Sequence, residues 1–270
     1  MPQPPSPYYS DERATLYRAD ALAVLASLPT ASVDALITDP PYSSGGMVRG
    51  DRMGSQATKY IGSGPDRKTS REFVEFTGDT RDQRAYGYWC ALWLSEAMRV
   101  LQPGSPALLF TDWRQLPVTV DALQAGGFVW RGIAVWDKTS CGGRPQMGRF
   151  RAQSEFIVWG SAGPMPGQVR KVLPGNFVHF ADRDKEHATA KPLALMRDLC
   201  QIVVDGGTVL DPFSGSGTTG AAALIEGRKF IGVEMSEHYA GVAANRLRTV
   251  QRGYRDDGQQ GALEFDGEAS

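Results

Sequence analysis

The sequence has few cysteines and histidines, and they are not arranged in a way that would hold a metal ion. Its 270 residues include three cysteines, Cys90, Cys141 and Cys200, with no CxxC pair, and three scattered histidines. Structural and catalytic zinc sites need clustered cysteine and histidine ligands, so we predict no metal site. Isolated cysteines in odd number are typical of reduced thiols, which predicts a cytoplasmic protein.

The sequence also lacks long apolar runs and a strong net charge. No run of 18 apolar residues occurs, and residues 1–10 are proline-rich without a hydrophobic signal segment, so we predict no membrane association and no export. The formal net charge is −1, which by itself indicates no polyanionic partner. Residues 131–151 nevertheless carry five basic residues and one acidic residue, so nucleic acid is not excluded as a partner.

The pattern of apolar segments predicts an α/β protein. Short apolar runs alternate with helical patterns along most of the chain, which is typical of a parallel sheet covered by helices on both faces. Two strand candidates, residues 128–136 and 156–159, have no helix between them and predict an antiparallel pair at one edge. We therefore expect a three-layer α/β domain with a mostly parallel sheet.

Most of the chain is predicted to form one domain, with flexible ends and inserted loops. A flexible lead-in is expected at residues 1–13, the domain at 14–250 and a polar, disordered tail at 251–270. Long glycine-rich or irregular segments inside a domain are usually functional or disordered. Three such segments are candidates for target recognition: residues 43–78, 137–154 and 160–187.

The first motif with chemical content is Asp39-Pro40-Pro41-Tyr42, which follows the apolar run 33–38. Two prolines stop the predicted strand and stiffen the turn after it. The strand end therefore presents an acidic side chain, a rigid carbonyl and an aromatic ring together. In open α/β sheets, ligands bind at this edge.

The second motif is Asp211-Pro-Phe-Ser-Gly-Ser-Gly-Thr-Thr-Gly220, a glycine-rich turn between a predicted strand and helix. Its glycines match G-x-G-x-x-G, and Glu234 ends the next strand, where a carboxylate can accept the hydroxyls of a ribose. An adenosine-containing ligand is therefore expected. An acid at position 211 suits the ammonium group of S-adenosylmethionine better than a pyrophosphate, and the helix N-terminus at Thr218 can accept its carboxylate.

Together the two motifs resemble those of the DNA methyltransferases that make N6-methyladenine or N4-methylcytosine. The Asp-Pro-Pro-Tyr motif precedes the glycine-rich loop, as in the permuted β class of this family. The resemblance implies a Rossmann-like methyltransferase fold with a seven-stranded sheet, S-adenosyl-L-methionine as cofactor and a flipped-out base of double-stranded DNA as substrate. It also implies DNA methylation within restriction-modification, with a homodimer and a companion restriction endonuclease as open alternatives.

The resemblance assigns roles to individual residues. It implies a catalytic role for Asp39, Pro40, Pro41 and Tyr42. It implies cofactor contacts for Asp20, Asp39, Thr189, Lys191, Asp211, Phe213, Ser214, Gly215, Ser216, Gly217, Thr218, Glu234 and Met235. Basic side chains of the inserted loops are the expected DNA contacts: Arg49, Arg52, Lys138, Arg144, Arg149 and Arg151.

Asp39, where some relatives have serine, favours adenine as the target base. N4-methylation of cytosine at the same site is the main alternative, and RNA or a protein amide are further substrates to test. A non-catalytic DNA-binding module and an NAD-dependent dehydrogenase are the alternatives outside this class.

Overall fold

The computed structural model describes residues 5–41, 81–139, 147–148, 150–165, 171–180 and 191–256, with the backbone alone for 254–256. Within these residues the strands are β1 (Tyr9–Ser10), β2 (Ala14–Tyr17), β3 (Ala35–Thr38), β4 (Pro106–Thr111), β5 (Val129–Asp137), β6 (Ser154–Ser161), β7 (Asn176–Val178), β8 (Thr208–Asp211) and β9 (Lys229–Val233). The helices are α1 (Ala21–Ser27), α2 (Gln83–Val100), α3 (Leu116–Ala125), α4 (Leu193–Cys200), α5 (Thr218–Ile225) and α6 (Glu237–Asp256).

The nine strands of the described residues form one mixed sheet in the order β1-β2-β9-β8-β3-β4-β6-β5-β7. The strands from β2 to β4 in this order run parallel, and β6 is antiparallel to both β4 and β5. The predicted three-layer α/β fold is confirmed. The predicted number of seven strands is wrong, because short strands β1 and β7 extend the two edges. The antiparallel pair is consequently not at the edge, since β7 pairs with β5 in parallel.

Helices cover both faces of the sheet. Helices α1 to α3 pack on one face around a core that includes Trp93 and Leu36. Helices α4 to α6 pack on the other face around a core that includes Leu199 and Ile37. Leu36 and Ile37 are neighbours in β3, whose residues are all buried, and successive side chains of a strand point to opposite faces. This double burial explains the continuous apolar run in the sequence.

Both ends of the domain differ from the predicted boundaries. Tyr9 and Ser10 pair with β2, so regular structure begins inside the predicted lead-in of residues 1–13. Helix α6 continues past residue 250 to Asp256, and the amide of Gln251 donates to Asp11 Oδ1 at 3.1 Å. This contact joins the N-terminal turn to the last helix. No helix in the described part of the chain has the length and apolar character needed to cross a membrane.

The direction of the connections changes between β3 and β8, which are neighbours in the sheet. After β3 the chain continues to β4 on one side, whereas β8 leads through α5 to β9 on the other side. In open α/β sheets, ligands bind beyond the carboxyl ends of the strands at such a point. Asp39 follows β3 and Asp211 ends β8, so the fold places both sequence motifs there.

Candidate active site

The two motifs, far apart in the chain, are joined by a hydrogen bond. The hydroxyl of Thr38, the last residue of β3, donates to Asp211 Oδ1 at 2.7 Å, and both side chains are buried. The parallel pairing of Leu36 with Leu210 sets this register. The pairing of β3 with β8 therefore brings the start of the Asp39 motif next to the start of the Asp211 motif.

The glycine-rich turn after β8 is held by backbone hydrogen bonds. Phe213 N–H donates to Asp211 Oδ1 at 3.1 Å, and Ser214 N–H donates to the carbonyl of Val233 in β9 at 2.9 Å. Gly217 precedes α5 with φ of +80°, a left-handed conformation that favours glycine. A Cβ atom at Gly217 would also lie 2.9 Å from the Cβ atom of Ala243 in α6. Glycine is therefore required here by conformation and by space.

Glu234 connects the end of β9 to the glycine-rich turn. Its carboxylate accepts the N–H of Gly215 at 2.9 Å and the N–H of Ser236 at 2.7 Å. Burial raises the pKa of Glu234 above its ordinary value, although these backbone donors act in the opposite direction. The neighbouring Met235 is half exposed, with 52% of its surface accessible, at the same edge.

Asp211 is fully buried, and its electrostatic environment is unfavourable for a charge. Burial raises its pKa to about 6, against hydrogen bonds from Thr219, Thr38 and the Phe213 N–H that lower it. The negative charge of nearby Asp39 raises it further. A positively charged ligand beside Asp211 would relieve this strain, because an opposite charge stabilises the ionised form.

At the end of the neighbouring strand β3, Asp39 is paired with a buried lysine. The ammonium of Lys191 lies 2.7 Å from Asp39 Oδ2 and 3.2 Å from Glu155 Oε2. Glu155 Oε1 in turn lies 3.0 Å from the ammonium of Lys138. The structure thus brings Lys191 to Asp39 and Glu155, whereas the resemblance placed it at the carboxylate of the cofactor.

Several predicted cofactor residues also have structural partners. Asp20 lies at the carboxyl end of β2 and caps α1 by accepting the N–H of Ala23 at 3.1 Å. The ring of Phe213 packs between Trp89 and Trp93 of α2, with ring centroids 5.3 and 5.1 Å away. The remaining members of the turn are mostly buried beside it: Ser214, Gly215, Ser216, Gly217 and Thr218.

Several other predicted residues lie outside the described part of the chain: Tyr42, Thr189, Arg49, Arg52, Arg144 and Arg149. The structure describes Pro40 as buried, Pro41 as half-buried and Arg151 as exposed. Lys138, predicted to contact DNA, has a largely buried side chain with 19% accessible surface and is paired with Glu155. The predicted DNA contact at Lys138 therefore falls on a side chain that is largely buried and already paired within the protein.

Sequence reasoning missed three residues of this region: Thr38, Glu155 and Arg246. The guanidinium of Arg246 in α6 donates to Thr218 Oγ1 at 2.5 Å, at the start of α5. Glu155 could have been noticed as a single acid beside an apolar strand, and Thr38 as a polar residue ending one. Arg246 gives no signal, because a basic residue in an amphipathic helix is usually solvent-exposed.

The arrangement has two chemically distinct halves. The half around Asp211 and Glu234 places one buried and one half-buried carboxylate beside a helix N-terminus, which suits a ligand with cationic and anionic groups. The half around Asp39 and Pro40 contains a side-chain carboxylate and a main-chain carbonyl, which are hydrogen-bond acceptors and suit an N–H donor. No group of three or more metal-binding side chains occurs among the residues that the structure describes.

Comparison with known families gives a match over most of the chain. The model of the DNA methylase family N6_N4_Mtase matches residues 33–171 and 167–245. The protein YubD of Escherichia coli (strain K12), named as a methylase, is 30% identical over 92% of this chain and 95% of its own length. The type II methyltransferase M2.LlaDCHI of Lactococcus lactis subsp. cremoris is 28% identical over 89% and 91%.

Solved structures of DNA methyltransferases share the fold. The complex of M1.HpyAVI with SAM superposes with a TM-score of 0.61 at 25% identity, covering 87% of this chain and 98% of that chain. The cytosine-N4-specific PvuII DNA methyltransferase gives a TM-score of 0.65 at 18% identity, covering 92% and 94%.

Proposed function

We propose, because the chain belongs to the N6/N4 DNA methylase family, that it transfers a methyl group from S-adenosylmethionine to the exocyclic N6 amine of adenine in duplex DNA. One observation carries the proposal. The hydrogen bond from Thr38 to Asp211 joins the strand end that offers acceptors to an amine with the turn that suits a cationic cofactor. Both reactants would thus be held at one edge of the sheet, which lowers the entropic part of the barrier.

The residues of the glycine-rich turn fit S-adenosylmethionine. The buried carboxylate of Asp211 would face its positive charge, and Glu234 would accept the ribose hydroxyls. Ser214 Oγ is buried and has no hydrogen-bond partner among the described residues, so a ligand can supply one. When bound, the cofactor supplies a methyl group on a positively charged sulfur.

The strand end at Asp39 would prepare the target amine. The lone pair of an exocyclic amine is delocalised into the base and is therefore a weak nucleophile. Asp39 can accept one N–H of the amine and the carbonyl of Pro40 the other, which localises the lone pair as positive charge develops on the nitrogen. Acceptors fixed before the reaction stabilise the transition state more than the ground state.

Lys191 keeps the Asp39 carboxylate in one orientation during this step. The ammonium lies 2.7 Å from Asp39 Oδ2 and is itself held by Glu155, so the carboxylate has little freedom of rotation. Asp39 then acts as a hydrogen-bond acceptor. Passage of the methyl group from sulfur to nitrogen would leave S-adenosylhomocysteine, and the surplus amine proton can then pass to the Asp39 carboxylate and on to water. A duplex base reaches such a pocket only by flipping out of the helix.

Adenine is the proposed target because Asp39 begins the Asp-Pro-Pro-Tyr motif. The test incubates the protein with isotopically labelled S-adenosylmethionine and mixed-sequence duplex DNA, followed by digestion and mass spectrometry of the nucleosides. Labelled N6-methyladenine is the expected product. Labelled N4-methylcytosine would retain the site and overturn the base assignment, and label on RNA or protein alone would overturn the substrate class.

The same assay tests the role of Asp39. Asp39→Ala should abolish transfer, while the affinity for S-adenosylmethionine stays within a few fold, because Asp211 and Glu234 lie at the ends of other strands. Asp121→Asn is the matched control, since Asp121 is exposed on α3. Retained turnover by Asp39→Ala would refute the proposed mechanism.

A further inference from the structure

Four side chains of alternating charge form a line that ends at Asp39. The distances are 3.0 Å from Lys138 to Glu155, 3.2 Å from Glu155 to Lys191 and 2.7 Å from Lys191 to Asp39. The lysine nearest to Asp39 is the most deeply buried, with 6% of its side chain accessible, compared with 17% for Glu155. The line therefore extends from the end of β5 to the Asp39 carboxylate, which is the proposed acceptor for the target amine.

The topology of the sheet explains why Glu155 lies close to Asp39. Strand β6 runs antiparallel to β4, so its first residues lie at the carboxyl end of β4. Glu155 pairs with Trp136 near the end of β5, and the following Phe156 pairs with Thr111 at the end of β4. An acid at the start of an antiparallel strand is thereby placed at the same edge as Asp39.

Such a line of buried charges is not explained by stability. Removing ions from water costs several kcal/mol each, and well-packed apolar side chains are often as stabilising as a buried ion pair. The surroundings are apolar enough for that alternative, because the ring of Phe110 in β4 lies 5.0 Å from the Lys191 ammonium. Buried, paired charges at the carboxyl edge of a sheet are more typical of functional sites than of folding cores.

The charges of Lys191 and Glu155 are stabilised by the opposite charges on either side of them. Although burial opposes its charge, Lys191 has a raised pKa because the carboxylates of Asp39 and Glu155 face it. Burial likewise opposes the charge of Glu155, but the ammonium groups of Lys191 and Lys138 hold its pKa below the ordinary value. Lys191 and Glu155 thus each favour the charged form of the other, and Glu155 is the only carboxylate in contact with both lysines among the described ion pairs.

We propose that Glu155 is a positioning residue for the methyl transfer, which holds the Lys191 ammonium and, through it, orients the Asp39 carboxylate toward the target amine. This inference rests on the proposed function. Glu155 itself touches neither the amine nor the cofactor. It provides the second anchor of Lys191, without which the ammonium can follow Asp39 and the acceptor loses its fixed position.

The test compares Glu155→Gln with wild type. Loss of the anchor should lower kcat by about 100-fold, the size of effect that a small misplacement of a reacting group produces. The Kd of S-adenosylmethionine should stay within about threefold, because Glu155 lies on the amine side of the site. Glu96→Gln is the matched control, since it breaks an ion pair with Arg99 on α2 and should behave as wild type.

A pH profile separates positioning from a merely structural role. In wild type, Lys191 stays charged and the rate should show no alkaline fall from this group up to about pH 10. In Glu155→Gln one of its two carboxylate partners is lost while burial remains, so the pKa of Lys191 falls and an alkaline decline in rate appears at lower pH. Glu155→Asp restores the negative charge and should move this decline back upward.

The titration of Lys191 also has a readout that needs no turnover. The ¹³Cε chemical shift of Lys191 should report a lower pKa in Glu155→Gln than in wild type. If Glu155→Gln does not fold, the double variant with Lys138→Gln, which removes the pair as a whole, is measured with the same expectations. A wild-type rate and pH profile in a folded Glu155→Gln protein would overturn the inference, whereas a wild type that methylates no DNA would overturn the proposed function instead.

Discussion

Asp211→Asn should make the protein more stable while weakening cofactor binding. The pKa of the buried carboxyl group is about 6, against an ordinary value of 3.8. A difference of about two units corresponds to about 3 kcal/mol by which the charged carboxylate disfavours folding at neutral pH. The asparagine oxygen can still accept from Thr38 and from the Phe213 N–H, and its amide group can donate to the Thr219 hydroxyl. The substitution therefore removes the charge and keeps all three partners.

The size of this effect depends on pH in a way that identifies its cause. An acid whose pKa is raised by folding is protonated in the folded protein when the unfolded chain has already lost its proton. The deficit is therefore small near pH 4, grows between pH 4 and 6, and is complete above about pH 7. The gain from Asp211→Asn should be at most about 3 kcal/mol at pH 8 and less than about 1 kcal/mol at pH 4.

Urea denaturation of wild type and Asp211→Asn at pH 4 and pH 8 measures the gain directly. Other titrating groups are common to both proteins and cancel in the difference. Asp121→Asn, at an exposed position of α3, should show no such pH-dependent gain. An equal free-energy difference at both pH values, or a loss of stability at pH 8, would refute the assignment of a strained, buried charge at Asp211.

The same carboxylate should make cofactor binding pH-dependent. If the cofactor binds the ionised form, the fraction available falls from about 0.9 at pH 7 to about 0.1 at pH 5, and the affinity weakens about tenfold. Titration calorimetry with S-adenosylmethionine should show this slope in wild type. In Asp211→Asn the affinity should be weaker at pH 7 and the slope smaller, with any residual slope due to Glu234, whose pKa is also raised by burial.

Three further substitutions test the geometry of the turn. Gly217→Ala should lower the free energy of unfolding by about 1–3 kcal/mol in denaturant titrations, because φ is +80° and the Cβ atom would meet Ala243. Thr38→Val removes a donor from Asp211, so in calorimetric titrations the pH at which cofactor affinity falls should rise. Glu234→Gln leaves one acceptor oxygen for two N–H groups and should weaken cofactor binding at least about tenfold in calorimetry.

The fold could be predicted because its elements carry strong local signals. The apolar run 33–38 ends at two prolines, and the structure has β3 at Ala35–Thr38. The long amphipathic pattern of 81–101 corresponds to α2, whose N-cap Asp82 accepts the N–H of Ala85 at 2.8 Å. Strand β1 was not predicted, because two residues show too little periodicity.

The glycine-rich turn and Glu234 could be predicted because their spacing is local to one strand-helix-strand unit. The partners of Asp39 could not, because they depend on the sheet register. Lys191 was assigned to the cofactor from its place in the chain, yet its ammonium lies between Asp39 and Glu155. Which strand end a long side chain reaches is decided by the order and direction of strands. The antiparallel direction of β6, which places Glu155 at this edge, is a tertiary property.

The distribution of charge in the buried strands separates the requirements of folding from those of the site. Within β8, Val209 and Leu210 are apolar and fully buried, whereas Asp211 at the carboxyl end is buried with an unfavourable charge. In β3, aliphatic residues likewise give way to Thr38 at the end that faces Asp211. An apolar residue at these ends would serve the sheet at least as well. The polar strand ends are therefore best explained by what binds there. Variants such as Asp211→Asn should bind the cofactor more weakly and have a larger free energy of unfolding.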